Sequence, residues 1–202
     1  MDTSMKLPAS LFAAALLGLS MLCATVQATG GEGQDPARSV IEARFTLVDH
    51  NGNAVTEQTY RGKWLLVFFG YTSCPDVCPT TLYDMTLALK ALGADAARIQ
   101  ALFVSVDPER DTVEVLAQYI PAFGGLITGL TGEPENVKQA ARAFRAHYEK
   151  VDSPGNPGGY TVEHQSSLYL IRPDGSFETA FPHGMSVERM VDAIRRHITS
   201  AP

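Results

Sequence analysis

Two cysteines, Cys74 and Cys78, lie between an apolar segment and a segment with helical spacing, and three residues separate them. A thiol that has lost its proton is both a nucleophile and a soft metal ligand, so the pair can support disulfide exchange or metal binding. Unpaired backbone N–H groups at the start of a helix favour negative charge, which predicts a lowered pKa for the Cys78 thiol in particular. The pair is therefore the first candidate for chemistry in this chain.

The segments on either side of the cysteines predict a buried strand followed by a helix. Residues 64–69 form an unbroken apolar run of strand length, which is typical of a strand buried on both faces of a sheet. Pro75 and Pro79 disfavour helical conformation for the cysteines that precede them, and Pro79 suits the first helical position. Apolar residues at helical spacing extend the predicted helix over residues 80–92, and Gly93 ends it. The cysteines are thus expected in a turn at the carboxyl end of a central strand.

The rest of the chain alternates between strand and helix patterns. Strands are predicted over residues 45–49, 99–106, 126–130, 160–164, 168–171 and 177–180, and helices over residues 113–119, 133–147 and 187–198. The Asn51-Gly52 pair predicts a hairpin after the first strand, and residues 172–176 predict a second one. Parallel crossover units followed by an antiparallel hairpin and a last helix predict an α/β fold of thioredoxin type. Its central mixed sheet is expected to be flanked by helices and to carry an N-terminal hairpin.

Length and charge limit the classes of function. A chain of 202 residues with 45% hydrophobic content is long enough for one well-packed domain and short for two. The net charge is −6, and no cluster of lysine or arginine offers a surface for phosphates. Nucleic acid is therefore not expected as a partner.

The first 28 residues differ in composition from the rest of the chain. Lys6 precedes a continuous apolar stretch over residues 7–24 that includes Cys23, and residues 26–28 provide small side chains at signal-peptidase spacing. This pattern predicts export to the periplasm through a signal peptide over residues 1–28. The stretch is also near the lower length limit of a membrane span, so an uncleaved anchor in the inner membrane is the alternative. A linker over residues 29–41 and one domain over residues 42–202 are expected to follow.

Removal of the signal would leave Cys74 and Cys78 as the two cysteines of the mature chain, in an oxidising compartment. One interpretation of the pair is a structural disulfide. A bridge that closes so short a loop removes little entropy from the unfolded chain, and a domain of this size does not need it. Chemistry is therefore the favoured interpretation.

Three separated motifs form a recognisable pattern. Residues 69–79 read Phe-Gly-Tyr-Thr-Ser-Cys-Pro-Asp-Val-Cys-Pro, residues 105–112 read Ser-Val-Asp-Pro-Glu-Arg-Asp-Thr, and Glu163-His164 precedes the run Tyr-Leu-Ile-Arg-Pro-Asp-Gly at residues 169–175. With these motifs the chain, from about Phe45 to its last helix, resembles the Sco/SenC family of copper chaperones. The resemblance implies a thioredoxin-like fold, copper bound by Cys74, Cys78 and His164, and a role in assembling the CuA centre of cytochrome c oxidase. Glu163 departs from the family pattern, which commonly has aspartate before the histidine.

The chemistry of these three side chains agrees with what the resemblance implies. Two thiolates suit copper(I), and one imidazole nitrogen completes a three-coordinate site that also tolerates copper(II). The other histidines are interpreted as structural or surface residues, namely His50, His147, His183 and His197. Met185 is interpreted as packing, Asp76 as a residue of the turn, and residues 107–112 as capping chemistry in which Arg110 pairs with a neighbouring acid.

Two functions from different classes follow. The first is a metallochaperone that delivers copper to the CuA centre, with the CuA-bearing subunit of the oxidase, a periplasmic thiol reductase and another copper chaperone as expected partners. The second is a thiol-disulfide oxidoreductase that keeps acceptor cysteines reduced through the redox-active pair Cys74 and Cys78. The familiar redox motif has two intervening residues rather than three, and the second function gives no role to His164. A peroxiredoxin-like peroxidase is a third reading, weakened because the mature chain has no separate resolving cysteine.

Overall fold

Strands and helices alternate along the part of the chain that the computed structural model describes, which is Met1 and residues 41–200. The strands are β1 (Thr46–Asp49), β2 (Ala54–Thr56), β3 (Trp64–Gly70), β4 (Ile99–Ser105), β5 (Ile127–Thr131), β6 (Tyr148–Asp152), β7 (Tyr160–His164), β8 (Leu168–Ile171) and β9 (Phe177–Phe181). The helices are α1 (Val77–Leu92), α2 (Val113–Tyr119), α3 (Pro134–Ala143) and α4 (Val187–Ser200). Apart from Met1, the predicted signal or anchor over residues 1–28 falls outside this part, as does the predicted linker up to residue 40.

Seven strands form one mixed sheet in the order β2-β1-β5-β4-β3-β8-β9. The β3, β4 and β5 strands are parallel, and β1 and β8 join them as antiparallel neighbours. All seven residues of β3 are buried, so both faces at the centre of the sheet are covered. The predicted α/β class, the mixed sheet and the N-terminal hairpin of β1 and β2 are confirmed. Among residues 41–200, no helix is long and apolar enough to cross a membrane.

A second sheet contains only β6 and β7, which pair antiparallel with Tyr148 opposite His164. This hairpin was not predicted. The helix expected over residues 133–147 instead ends at Ala143, and Arg145 adopts a left-handed conformation with φ 53°. The chain therefore turns out of the helix, His147 lies exposed in the connection, and Tyr148 begins a strand.

The strand β3 and the helix α1 meet closely at Gly70, the last residue of the strand. A Cβ atom on Gly70 would lie 2.7 Å from the Cys78 sulfur and 2.9 Å from the Phe103 ring. The absence of a side chain at this position therefore lets the first turn of α1 approach the end of the central strand. That turn begins at Val77 rather than after Pro79, so the prediction that Cys78 lies in the turn before the helix is wrong. Proline is tolerated here because backbone N–H groups of a first helical turn have no partner within the helix.

Candidate metal centre

The three predicted ligands come together in space. One ligand atom each from Cys74, Cys78 and His164 lies within 4.8 Å of the others, and the Cys78 sulfur is 3.3 Å from His164 Nε2. Both thiols are free, Cys78 is fully buried, and Cys74 and His164 are half-buried. His164 lies 90 positions after Cys74 in the chain, so the fold alone creates this group.

The cysteine turn fixes the two sulfurs relative to each other. The backbone N–H of Cys74 donates to the carbonyl oxygen of Tyr71 at 3.3 Å, which closes the turn that follows β3. The backbone N–H of Cys78 donates to the Cys74 sulfur at 3.4 Å. Cys78 itself lies in the first turn of α1, so the half-buried Cys74 sulfur contacts the start of the helix that carries the buried Cys78 sulfur.

The imidazole of His164 is oriented by its neighbours. Its ring meets the rings of Phe68 and Tyr71 edge-on, with centroids 5.9 Å and 5.8 Å away. Its Nδ1 atom lies 3.3 Å from the carbonyl oxygen of Gln165, which can only accept a hydrogen bond. In the neutral ring the proton is therefore assigned to Nδ1, and the lone pair on Nε2 faces the Cys78 sulfur.

The two thiols have opposite acidities. A hydrogen bond from the Cys78 side chain, assisted by backbone N–H groups, outweighs burial and lowers the pKa of Cys74 to about 3. The same hydrogen bond, burial and the charge of the Cys74 thiolate raise the pKa of Cys78 above its ordinary value. The prediction that the helix start lowers the pKa of Cys78 is therefore wrong. Because Cys78 is buried and faces a thiolate, these effects exceed that of the helix terminus.

A buried carboxylate lies behind the cysteine turn. Asp111 is fully buried and accepts hydrogen bonds from the backbone N–H of Thr72 at 2.9 Å, from the Thr72 hydroxyl at 2.6 Å and from the Ser105 hydroxyl at 2.6 Å. Burial raises the pKa of Asp111, although these hydrogen bonds oppose the rise. The residue ties the turn to the end of β4, which fixes the position of the cysteines relative to the sheet.

The residues that were interpreted as structural make structural contacts. His50 accepts from the backbone N–H of Gly129, and His183 Nδ1 lies 3.1 Å from the Thr81 hydroxyl. His197 pairs with Glu178 at 2.6 Å. Met185 packs against the core, and the exposed Asp76 accepts a long hydrogen bond from Thr80. In the segment over residues 107–112, Arg110 pairs with Asp107 and Thr112 caps α2.

Sequence reasoning did not identify the aromatic residues around the site. Tyr71 lies inside the cysteine motif, and its hydroxyl lies 2.9 Å from that of Thr161 on β7. Tyr160 lies four positions before His164 on the same strand, and its hydroxyl donates to Asp107 in the main body of the domain. The alternation of Tyr160, Val162 and His164 places them on one face of a strand, which is the sequence signal for their common role.

This group can perform two kinds of chemistry. Two sulfurs and one imidazole nitrogen form a donor set for a soft ion of low coordination number. A half-exposed thiolate beside a buried thiol can also exchange with a disulfide, with the exposed sulfur as the attacking atom.

Comparisons with known proteins agree with this geometry. The SCO1/SenC family model matches residues 33–199. Protein SCO2 homolog, mitochondrial, from Bos taurus is 36% identical over 164 residues, which are 80% of this chain and 61% of that protein. The chain spans about three fifths of the length of the curated relatives that it matches first.

Solved structures are also similar. The structure of Bradyrhizobium japonicum ScoI with copper bound is 40% identical, with a TM-score of 0.71 over 77% of this chain and 98% of that one. BsSco, a member of the Sco family of cytochrome c oxidase assembly proteins with a disulfide switch, is 26% identical, with a TM-score of 0.64 over 80% of this chain and 95% of that one. These likenesses confirm the predicted thioredoxin-like fold. The protein described here belongs to the SCO1/SenC family.

Proposed function

We propose that this protein is a copper-binding metallochaperone that delivers copper to the CuA centre of cytochrome c oxidase during its assembly. The observation that carries the proposal is the convergence of Cys74, Cys78 and His164 within 4.8 Å. The two sulfurs suit copper(I), and the free lone pair of His164 Nε2 adds the donor that copper(II) requires. Similar proteins support the metal, since the ScoI protein of Bradyrhizobium japonicum has been solved with copper bound.

Partial exposure of the site supports a transfer role rather than permanent storage. Cys74 and His164 are each half-buried, whereas Cys78 is fully buried. A ligand of an acceptor protein can therefore approach from the side of Cys74 and His164 and replace them one at a time. The membership of BsSco in a family of cytochrome c oxidase assembly proteins supports the CuA-bearing subunit as this acceptor.

The proposed location is the periplasm, reached through the predicted signal over residues 1–28, with an uncleaved anchor in the inner membrane as the alternative. In an oxidising compartment the two thiols would form a disulfide, which cannot bind copper as two thiolates do. A thiol reductase is therefore part of the proposal, together with another copper chaperone as the source of the metal.

A copper titration of the reduced protein tests the proposal. Copper(II) is expected to produce a thiolate-to-copper charge-transfer band that His164→Ala abolishes. His183→Ala is the matched control, because that imidazole is exposed and bonds Thr81 instead of a cysteine. Equal copper(II) affinity in the parent and in His164→Ala would contradict the proposed ligand set.

The role in assembly requires a test in cells. Deletion of the gene is expected to lower cytochrome c oxidase activity, and added copper is expected to restore it. A deletion strain with a normal CuA content would exclude the assembly role even if the purified protein binds copper.

The second candidate function is thiol-disulfide exchange, which the opposite acidities of the two cysteines favour. The Cys74 thiolate would attack one sulfur of an acceptor disulfide and release the other as a thiolate. Cys78 would then lose its proton and attack the Cys74 sulfur, which releases the reduced acceptor and leaves a Cys74–Cys78 disulfide. Two electrons pass from the pair to the acceptor. His164 Nε2, 3.3 Å from the Cys78 sulfur, can accept the proton, so His164 has a use in this function as well.

One comparison distinguishes the two functions. His164→Ala removes the proposed copper ligand but leaves both sulfurs. If that variant binds copper as tightly as the parent, while the parent reduces acceptor disulfides at a high rate, exchange is the better description of the protein.

A further inference from the structure

The hairpin of β6 and β7, which carries His164, is held to the rest of the domain by side-chain contacts. It forms its own two-stranded sheet, and neither strand pairs with the seven-stranded sheet. Along β7, Tyr160, Val162 and His164 lie on one face. Val162 is 3% exposed and packs in the core, while His164 reaches Cys78 at one end of the strand. Tyr160 is the anchor at the other end.

Tyr160 is bound by the loop that follows β4. Its hydroxyl donates to Asp107 Oδ1 at 2.7 Å. The Arg110 guanidinium lies over its ring at 3.9 Å from the centroid and donates to its carbonyl oxygen at 3.2 Å. Asp107 is fully buried and forms an ion pair with Arg110, so the loop presents a fixed donor and a fixed acceptor to one tyrosine.

The same loop also binds the cysteine turn. Asp111, four residues after Asp107, accepts from both polar groups of Thr72, and its backbone N–H donates to the Asp107 carbonyl oxygen at 2.9 Å. One short loop therefore holds the turn with Asp111 and the hairpin with Asp107 and Arg110. The relative position of the thiols and the imidazole depends on this loop, in addition to the direct contact between the hydroxyls of Tyr71 and Thr161.

We infer that Tyr160, held by Asp107 and Arg110, is the latch that keeps the β6–β7 hairpin closed over the two cysteines, and that opening of this latch removes His164 from bound copper(II). Tyr160 and Arg110 are positioning residues in this scheme. The part that concerns copper rests on the proposed function. Copper(I) can remain on the two thiolates when the imidazole leaves, whereas copper(II) depends on the nitrogen donor. The latch therefore controls the release of copper(II) more than the release of copper(I).

Tyr160→Phe tests the latch with the smallest change, because it removes only the hydroxyl that bonds Asp107. Tyr148→Phe is the matched control: it makes the same change on the same hairpin, directly opposite His164, where the structure gives the hydroxyl no hydrogen bond within residues 41–200. In the apo-protein, the β6–β7 amides are expected to exchange with deuterium about tenfold faster in Tyr160→Phe, with the seven-stranded sheet unchanged. Equal exchange in the two variants would overturn the latch.

Rates of copper release test the second part of the inference, that opening of the latch removes His164 from bound copper(II). Extraction of copper(II) by EDTA is expected to be about tenfold faster from Tyr160→Phe than from Tyr148→Phe, because the opened form is more populated by that factor. Extraction of copper(I) by bathocuproine sulfonate is expected to change less than about twofold. Faster amide exchange with unchanged copper(II) release would overturn the assigned role of the latch.

A third variant keeps the inference testable if Tyr160→Phe does not fold. Arg110→Lys retains the charge but loses the planar group that stacks on Tyr160 and bonds its carbonyl oxygen, and the same faster exchange is expected. A protein that binds no copper at all would refute the proposed function instead, and amide exchange in the apo-protein would still decide whether the latch exists.

Discussion

The two cysteines present very different sulfurs to an incoming reagent. Cys78, in the first turn of α1, is buried and has a raised pKa, whereas Cys74 is half-exposed and has a pKa lowered to about 3. At neutral pH the accessible sulfur is therefore a thiolate and the inaccessible one a thiol. Reactivity toward electrophiles and metals is expected to begin at Cys74.

Alkylation by iodoacetamide tests this difference. In the reduced parent, the rate at Cys74 is expected to vary little between pH 5 and pH 8, because its pKa lies below that range. The hydrogen bond from Cys78 is the largest cause of the low pKa, so Cys78→Ala is expected to restore a fall of about tenfold per pH unit below the new pKa. Peptide mass spectrometry gives the rate at each sulfur. A parent rate that rises steadily up to pH 9 would contradict the assignment.

The three side chains that meet at the site were predictable at this scale, but the acidities of the two cysteines were not. Motif context singled out His164 among the five histidines, and the other four make structural or surface contacts. The sequence places Cys78 near a helix start, and helix electrostatics alone favour a thiolate there. Burial of the Cys78 sulfur and its hydrogen bond to Cys74 reverse that expectation, and both depend on the three-dimensional approach of α1 to Gly70.

At the level of elements, the contact between β3 and α1 depends on the missing side chain of Gly70. Gly70→Ala would place a methyl group within 3.0 Å of the Cys78 sulfur and of the rings of Phe103 and Phe68. The variant is expected to lose about 1–3 kcal/mol of unfolding free energy, because overpacking forces the helix or the rings to move. Urea denaturation measures the loss. Gly155→Ala is the control, since nothing lies within 4 Å of its Cβ position, and an equal loss there would refute the packing argument.

A second contact between elements joins α4 to the β8–β9 hairpin. Glu178 on β9 pairs with Arg172 and with His197 on α4. Burial alone raises the pKa of Glu178, but these hydrogen bonds outweigh it, so the net pKa is lowered from its ordinary value. Because the folded pKa is the lower one, the contribution to stability is present above the unfolded pKa and is lost as the pH falls through the folded pKa.

Removal of this charge gives a prediction with a defined sign. Glu178→Gln is expected to lower the unfolding free energy by about 2 kcal/mol at pH 7, and the difference from the parent is expected to shrink below about pH 4. Denaturant titrations at several pH values measure it. Asp192→Asn on the exposed face of α4 is the control for loss of one negative charge, and a difference that persists unchanged at pH 3 would contradict the prediction.

Elements with strong local signals were predicted well. The structure confirms α2 and β8 at their predicted bounds, and β3 differs from its prediction by the addition of Gly70. The β6 strand was missed because Phe144 and Tyr148 continue the apolar spacing of α3. The break comes from Arg145 in a left-handed conformation, and an arginine gives no local signal for it. Packing of the hairpin against the main body determines that this segment is a strand, so the sequence pattern alone could not predict it.

For the whole molecule, the apolar core is large enough that folding should not require a metal. Core residues come from every strand of the main sheet and from helices α1 to α4. Copper is nevertheless expected to stabilise the native state by mass action, because the three proposed ligands are close together only when the chain is folded. Metal binding and global stability are therefore linked.

Denaturation of the reduced protein with and without copper(I) measures this linkage. At a free copper concentration about 1,000-fold above the dissociation constant, the unfolding free energy is expected to rise by about 4 kcal/mol. A variant with Cys74→Ser and Cys78→Ser is expected to fold and to show no such rise. An unfolded apo-protein, or equal stabilisation of that variant, would show that the metal acts elsewhere.

The placement of the two sulfurs limits how a partner protein can reach a metal ion bound at the site. Cys78, in the first turn of α1, is fully buried, whereas Cys74 and His164 are each partly exposed, so these two would be the accessible ligands of an ion bound here. A protein that supplied the ion and a protein that received it would therefore both have to approach Cys74 and His164. If the protein transfers copper as proposed, a donor and a recipient would compete for these two side chains, so loading and unloading would be separate encounters.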